Sequence, residues 1–293
     1  MLGRFARWAL APIVLGLAMV GLVATPSQAV TGPNIAVDTT HDYVGLVTFY
    51  DANGDFLWRC SGTLLSPTVF LTAGHCTDIA EGAVSARVYM ETYAGARYDA
   101  ALGYDPVTGY PVSGGVESHH LYSYGFNDFA GYPNTLDVGL VVLDEPVQNV
   151  YPNIDSYASL AHPGTAEEIG TGVDAVVDVS GYGVTNANKN HTVSYRTRLG
   201  GSTFIINNHN QATAGYNLQL ASNFGGGRVG TCFGDSGGPI LVGGTDVVLA
   251  VNSFVKNGQC AGQGFAFRVD QQAVLDWMRQ VLGDELFGQI NIV

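Results

Sequence analysis

The residue with the clearest capacity for chemistry is Ser236, which lies in the string GDSGGP (234–239) shortly after Cys232. Glycines around a serine let the chain turn tightly and let a substrate carbonyl approach the backbone. They also free backbone N–H groups that can stabilise a developing oxyanion. A serine between glycines is common in loops, but the whole string directly after a cysteine is a specific signal. We therefore predict that Ser236 is a nucleophile.

Two further residues have the chemistry that a serine nucleophile needs. His75 closes the segment LTAGHC (71–76), and an imidazole is the usual general base at neutral pH. Asp137 begins the apolar run DVGLVVL (137–143), where a buried carboxylate would orient the imidazole. Taken singly, a histidine is more often structural, and an aspartate beside a strand is more often solvated. The chain order His–Asp–Ser is one of three orders known for such a triad, and it favours the catalytic interpretation.

The elements that must position these residues are mainly strands. Short β-rich runs between glycine and proline turns, without a βαβ rhythm, predict an all-β sandwich or barrels. One segment, 270–282, has the apolar spacing of a helix, with Asp270 as its N-cap and Gly283 as its end. Residues 99–135 are weakly periodic, and so long a loop is usually functional or mobile. The β-rich runs are 43–50, 63–65, 69–72, 84–90, 138–143, 175–181, 218–221, 239–242, 247–251 and 264–267.

The composition excludes two broad classes of protein. Of the 293 residues, 46% are apolar and only 13% are charged, which is unlike a disordered chain. The formal net charge is −13, which argues against a partner nucleic acid bound by phosphate neutralisation. We expect a globular protein long enough to bury a substantial core.

The N-terminal residues 1–29 have the pattern of a secretory signal peptide. A basic start is followed by an apolar run and then by small residues at positions 27 and 29. We expect cleavage after Ala29, which leaves no membrane-bound segment and a secreted, extracellular product. An uncleaved membrane anchor is the alternative, but the apolar run is short for a transmembrane span.

The expected secretion of the protein bears on the state of its four cysteines. Outside the cytosol, four thiols favour two disulfides over a metal site. Three pairings are possible, of which Cys60 with Cys76 and Cys232 with Cys260 are the most local. No cysteine or histidine spacing indicates a metal site, and we expect no cofactor.

Three strings together resemble a known family. They are CSGTLLSPTVFLTAGHC (60–76), TLDVGLVVLDEPV (135–147) and CFGDSGGPI (232–240), which stand in the family's order at compatible spacing. The chain resembles the secreted bacterial members of the trypsin/chymotrypsin-like serine peptidases over about residues 40–285. The resemblance implies a double six-stranded β-barrel with a C-terminal helix. We expect the N-terminal barrel to span residues 30–150, and the C-terminal barrel and helix to span 151–293.

The resemblance also implies roles for individual residues. His75 and Asp137 would come from the first barrel and Ser236 from the second, with the active site in the cleft between them. The backbone N–H groups of Gly234 and Ser236 would form the oxyanion hole. Ser253 would contact Asp137 and help to bind the substrate backbone. The implied disulfides are Cys60–Cys76 and Cys232–Cys260, and the residues near the substrate-binding edge are Asn252, Phe254 and Val255.

The specificity pocket departs from the trypsin pattern. Its base corresponds to Gly230, where an aspartate would bind arginine or lysine, and Thr231 adds only a neutral hydroxyl. Val255 narrows one wall, while Gly264 leaves the other open. We therefore expect no preference for a basic residue before the cleaved bond. A small to medium apolar residue is the expectation that follows from the walls.

Activation is the second departure from the family pattern. The chain lacks the Ile-Val-Gly-Gly string at which many members are cut, yet it keeps Asp235, the partner of the new α-amino group. Signal cleavage would expose Val30, whose amino group could pair with Asp235. Arg228 or another internal cation is the alternative partner of Asp235.

Two functional classes follow from these observations. The first is a secreted serine endopeptidase that cleaves protein or peptide substrates through an acyl-enzyme. The second is a catalytically silent binding protein on the same fold. The complete set of triad residues favours the enzyme, because silent relatives usually lose one of them.

Overall fold

The computed structural model describes residues 30–32, 34–94, 110–111, 113–184, 186–188, 191–193, 196–222 and 226–293. The predicted signal peptide lies outside these ranges, as do residues 99–109 of the long loop predicted from sequence. Two α-helices lie in the described ranges, α1 (Thr165–Ile169) and α2 (Gln272–Phe287), with 3₁₀ turns at Ile79–Glu81 and Val147–Asn149. None of these helices has both the length and the apolarity to cross a bilayer. The strands are β1 (Ala36–Val37), β2 (Val44–Tyr50), β3 (Phe56–Leu64), β4 (Val69–Thr72), β5 (Ser85–Tyr89), β6 (Val116–Ser118), β7 (His120–Ser123), β8 (Gly139–Val142), β9 (Ser159–Leu160), β10 (Val176–Gly181), β11 (Asn186–Asn188), β12 (His191–Val193), β13 (Leu199–Asn207), β14 (Asn217–Ser222), β15 (Pro239–Val242), β16 (Val247–Val255) and β17 (Gly262–Arg268).

The first sheet is an antiparallel barrel in the order β6-β5-β2-β3-β4-β8-β7. Only His119 separates β6 from β7, and these two strands pair with opposite ends of the sheet, β5 and β8. They therefore act as one bent strand that closes a ring of six. The apolar side chains of β2 and β4 are buried along their whole length, which supplies much of the core.

The second sheet forms a barrel of the same kind. Strands β13, β10, β15, β16, β17 and β14 follow one another, and pairing of β13 with β14 closes the ring. Strand β1 adds to the edge of β13, and β9 runs parallel to β16. The predicted double six-stranded barrel with a C-terminal helix is confirmed.

Each end of the described chain packs against the barrel that is farther from it in sequence. Strand β1 pairs with the second barrel, with Ala36 opposite Gly200. At the other end, α2 reaches the first barrel, where the rings of Trp277 and Tyr124 lie 5.1 Å apart. Met278 is buried in a core that includes first-barrel side chains. The division of the chain at residue 150 stays a prediction.

The C-terminal helix differs from its prediction at its start. Helix α2 begins at Gln272, and the N-cap role expected for Asp270 is wrong. Both carboxylate oxygens of Asp270 bind the guanidinium of Arg268, and one of them also accepts the Ala166 N–H at 2.8 Å. These bonds hold the Asp270 carboxylate against the second barrel, and no N–H group of α2 donates to it. Gly283 interrupts the helix with a φ of 72°, after which the helix resumes.

The buried pair of Arg268 and Asp270 gives a test of this anchor. The two residues are only 3% and 1% exposed, so Arg268→Met leaves a buried carboxylate without its partner. We expect a loss of about 3–5 kcal/mol in the free energy of unfolding. Arg279 pairs with the exposed Asp284, so Arg279→Met should change it by less than about 0.5 kcal/mol. Chemical denaturation measures both variants, and equal losses would contradict the assignment.

Candidate active site

His75 and Asp137 meet because the strands beside them are paired. The end of β4 lies opposite the start of β8, with Thr72 facing Gly139. His75 follows the first strand by three residues, and Asp137 precedes the second by two. The backbone N–H of His75 donates to Asp137 Oδ1 over 2.8 Å, and its ring Nδ1 lies 2.9 Å from Oδ2. One carboxylate thus fixes both the backbone and the ring of His75.

The carboxylate also determines which ring nitrogen carries the proton. Asp137 is fully buried, and an ionised carboxylate can only accept hydrogen bonds. Nδ1 of His75 is therefore the protonated nitrogen, and Nε2 is left as an acceptor. Ser253 donates its hydroxyl to Asp137 Oδ2 over 2.5 Å, as the resemblance led us to expect.

The two groups shift the pKa of each other. Burial alone would lower the pKa of His75, but the charge and hydrogen bond of Asp137 outweigh it, so that the pKa is raised. Burial alone would raise the pKa of Asp137, but His75 and the Ser253 hydroxyl hold it below its ordinary value. Asp137 therefore stays ionised beneath a basic imidazole.

Removing the carboxylate charge should reverse the shift at His75. In Asp137→Asn the burial remains while the attraction is lost, so the pKa of His75 should fall below its ordinary value of about 6.5. An NMR titration of the histidine ring protons measures the change. His41, whose pKa is raised by Asp38, serves as the internal control and should titrate as before. An unchanged or higher pKa at His75 would refute the proposed coupling.

Ser236 is held by a residue of the opposite barrel. The backbone N–H of Ser61, on β3, donates to the carbonyl of Ser236 over 2.8 Å. The Ser61 hydroxyl donates to the Gly234 carbonyl over 2.8 Å and accepts the N–H of Tyr182 at the same distance. Sequence reasoning missed Ser61, and its place beside Cys60 was the one signal available.

The turn around Ser236 requires glycine and leaves two donors available. Gly234 and Gly237 have φ values of 99° and 77°, and a Cβ on Gly237 would lie 2.0 Å from Thr72 Oγ1. Within the described turn, the N–H groups of Gly234 and Ser236 donate to no protein acceptor. Both can therefore point at a developing oxyanion. The Ser236 hydroxyl likewise makes no side-chain hydrogen bond with the described residues.

His75 and Ser236 line the same cleft, which has a volume of about 350 Å³. The expected edge residues Ser253, Phe254 and Val255 line it too. Sequence reasoning missed an aromatic wall in this cleft. The ring centroid of Phe129 lies 5.3 Å from that of Phe254, and that of Phe126 lies 5.6 Å from that of His75. Only the length of the 99–135 loop hinted at it. The cleft is also lined by Asn252, which the resemblance placed near the substrate-binding edge, and by Asp78, Glu81, Asp128, Cys232 and Phe233.

The residues expected in the specificity pocket lie together. Thr231 Oγ1 donates to Asn252 Oδ1 over 2.5 Å. A Cβ on Gly264 would lie 3.3 Å from Thr231 Oγ1, so glycine keeps that hydroxyl approachable. A Cβ on Gly230, the expected pocket base, would lie 2.7 Å from Cβ of Ser222, so a larger residue would collide there. Gly230, Thr231 and Gly264 are not among the residues that line the cleft itself.

Asp235 is buried beneath the turn that carries Ser236. Its carboxylate accepts the N–H groups of Cys232 and Gly183, each over 2.8 Å. Burial raises the pKa of Asp235 to about 6, with these hydrogen bonds and the charge of Arg59 opposing the shift. Arg228, the cation considered from sequence, instead lies over a phenylalanine ring at 5.0 Å. Arg59 is thus the internal cation whose charge acts on Asp235.

The first described residues run beside the pocket. Val30 is fully buried and belongs to the same apolar cluster as Val229. The backbone of Thr31 pairs with Gly230 through two hydrogen bonds of 2.8 and 2.7 Å. The start of the predicted mature chain is therefore bonded directly to Gly230, the expected pocket base.

Two disulfides flank the site. Cys60 is bonded to Cys76 next to His75, and Cys232 is bonded to Cys260 beside the pocket. The sulfurs of the first pair lie near the His75 ring, but they are bonded to each other and offer no thiolate to a metal. The most local of the three possible pairings is the one that forms.

Two antiparallel barrels, with His75, Asp137 and Ser236 around the cleft, define the class of chymotrypsin-like proteins. The family model described as Trypsin matches residues 38–278, and the chain belongs to that family. A trypsin of Simulium vittatum is 27% identical over 246 residues, which cover 79% of this chain and 87% of that protein. Serine protease 7 of Drosophila melanogaster is 26% identical over 87% of this chain, but the match spans only 65% of its own length. These relatives come from insects, so the bacterial and secreted parts of the resemblance stay predictions.

Solved structures support the fold. HL collagenase superposes with a TM-score of 0.59 at 21% identity, over 83% of this chain and 94% of its own. An inactivated protease paralogue of the scabies mite gives a TM-score of 0.60 at 15% identity, over 86% and 97% of the two chains. Human heparin binding protein gives 0.58 at 18% identity, over 87% and 97%. At these identities the likeness concerns the fold alone.

Proposed function

We propose that this protein is a secreted serine endopeptidase that hydrolyses peptide bonds in proteins or peptides. The observation that carries the proposal is the buried Asp137 holding His75, whose free Nε2 shares a cleft with the Ser236 hydroxyl. A silent binding protein would not need this arrangement of a carboxylate, an imidazole and a hydroxyl. Membership of the trypsin family supports a protein substrate.

The geometry supports acyl-enzyme chemistry. Ser236 Oγ attacks the substrate carbonyl carbon while its proton passes to His75 Nε2. The negative charge on the carbonyl oxygen is stabilised by the N–H groups of Gly234 and Ser236. Nε2 then returns the proton to the leaving amine, and water hydrolyses the resulting ester by the same route. Asp137 stabilises the imidazolium in both halves of the reaction.

Labelling of Ser236 tests this proposal directly. A fluorophosphonate probe should label the mature wild-type protein, because the probe needs an activated serine. Ser236→Ala should abolish labelling. Ser202→Ala is the matched control, since Ser202 lies exposed on β13, and it should leave labelling unchanged. A folded wild-type protein that resists the probe would instead support the silent binding protein.

The pocket base supports a lack of preference for arginine or lysine before the cleaved bond. Gly230 has no charge to offer, and an unpaired ammonium group would be costly to bury there. The close approach of Ser222 leaves no space for an aspartate at this position. The pocket therefore lacks the negative charge that would select arginine or lysine before the cleaved bond.

The amino group at the start of the mature chain is proposed to stabilise the turn that carries Ser236. Removal of residues 1–29 would give Val30 a free amino group, and this buried residue is tied to Gly230 through its neighbour Thr31. An ammonium group at that place could pair with Asp235, whose pKa is now raised to about 6 by burial. Such a pair would stabilise the ionised carboxylate and the turn that carries Ser236.

An additional residue before Val30 tests this role. Mature protein that begins with an extra alanine should lose at least about tenfold in kcat/KM, because the displaced amino group no longer reaches Asp235. N-terminal sequencing of the active protein should begin at Val30. A longer N-terminus with full activity would leave Arg59 as the sufficient partner and reject the amino-group pair.

A further inference from the structure

The cleft beside Ser236 contains a polar side chain that the proposed chemistry does not use. Asn252 is 4% exposed and lines the cleft. Its backbone is bonded to the turn of the nucleophile, because Gly237 N–H donates to its carbonyl over 2.7 Å and its own N–H donates to Gly238 over 2.9 Å. The Asn252 side chain is therefore held at a fixed place relative to Ser236.

The hydrogen bond between Thr231 and Asn252 sets the polarity of this place. Thr231 gives its one hydroxyl proton to Asn252 Oδ1, which leaves lone pairs on Oγ1 as acceptors. The Asn252 amide keeps two N–H groups, and in the described part of the chain they have no protein acceptor. Thr231 Oγ1 faces the space that Gly264 leaves without a side chain, where a Cβ would lie 3.3 Å from it. The N–H groups of Asn252 and the lone pairs of Thr231 thus offer a donor and an acceptor side by side.

We propose that Thr231 and Asn252 select a side-chain carboxamide, from glutamine or asparagine, in the residue before the cleaved bond. This inference rests on the proposed peptidase function. A carboxamide offers an oxygen to Asn252 Nδ2 and an N–H to Thr231 Oγ1, so both groups find partners. Among side chains of similar size, neutral histidine also has a donor and an acceptor in one plane, but they lie on ring nitrogens that point away from each other.

Other side chains leave a group unpaired or meet the wrong charge. An apolar residue would desolvate the N–H groups of Asn252 without replacing their hydrogen bonds to water. Among the described lining residues a carboxylate would find no lysine or arginine, and the acidic residues Asp78, Glu81 and Asp128 would repel it. The expectation of an apolar residue was based on Val255 and Gly264 alone and did not take the Asn252 side chain into account.

Matched peptide substrates test the preference. The peptides differ only in the residue before the cleaved bond. One set carries Gln, Glu or Met at that position, the other carries Asn, Asp or Leu, and a lysine peptide is added for comparison. We expect kcat/KM for at least one amide to exceed that of its apolar and acidic partners by about tenfold or more. Equal or faster cleavage after Met and Leu would overturn the proposal.

Variants assign the preference to the two residues. Asn252→Leu and Thr231→Val are near-isosteric and should reduce the amide-to-apolar ratio of kcat/KM at least about fivefold. Thr231→Ser keeps the hydroxyl and should keep the ratio. Fluorophosphonate labelling counts the active sites, so a partly folded variant does not distort the comparison. A ratio unchanged in both isosteric variants would contradict the assignment.

A binding measurement separates this inference from the proposed function. Ser236→Ala protein cannot form an acyl-enzyme, yet its pocket is intact, and calorimetry with the Gln and Met peptides reports selection alone. Tighter binding of the Gln or Asn peptide than of its apolar partner by about fivefold supports the pocket even if the wild type neither labels nor cleaves. Wild-type cleavage with no amide preference, or equal binding of all peptides, rejects the pocket and leaves the peptidase proposal standing.

Discussion

Ser61 joins the two halves of the site. It belongs to the first barrel, yet its N–H and hydroxyl bind the carbonyls of Ser236 and Gly234 in the second barrel. The same hydroxyl accepts the N–H of Tyr182, in the segment that covers Asp235. A triad divided between two barrels depends on their relative position to a fraction of an ångström. The hydrogen bonds of Ser61 contribute directly to that constraint, and the adjacent Cys60–Cys76 disulfide braces the first barrel beside them.

The electrostatics of the site are arranged in two layers. Near the cleft, Asp137 makes His75 more basic while Ser253 and burial keep the carboxylate fixed. Beneath the nucleophile, Asp235 is buried with only backbone donors in contact and Arg59 as the nearest charge acting on it. In the proposed mechanism the first layer supports proton transfer, and the second holds the turn that carries the proposed oxyanion donors. The two carboxylates have opposite pKa shifts because only Asp137 has a titratable partner in contact.

The fold could be predicted, and the three residues proposed for catalysis could be chosen, because their signals are local. Short strands between turns indicated barrels, and the string around Ser236 indicated a nucleophile. The helix cap failed at Asp270 because Arg268 and Ala166, the latter distant in sequence, compete for its carboxylate. Ser61 and the aromatic wall of Phe126 and Phe129 escaped because such residues acquire meaning only when distant segments meet. The sequence likewise gave no sign that Thr231 and Asn252 would bond.

The crossing of both chain ends has a topological consequence. Strand β1 belongs to the second barrel although it precedes the first, and α2 packs on the first barrel although it follows the second. The strands of the second barrel are therefore not one continuous segment of the chain, and the first barrel is covered by a helix that follows the second. A nick in the connection between the barrels would leave two interlocked fragments. This mutual packing would let a chain broken at that connection keep its shape.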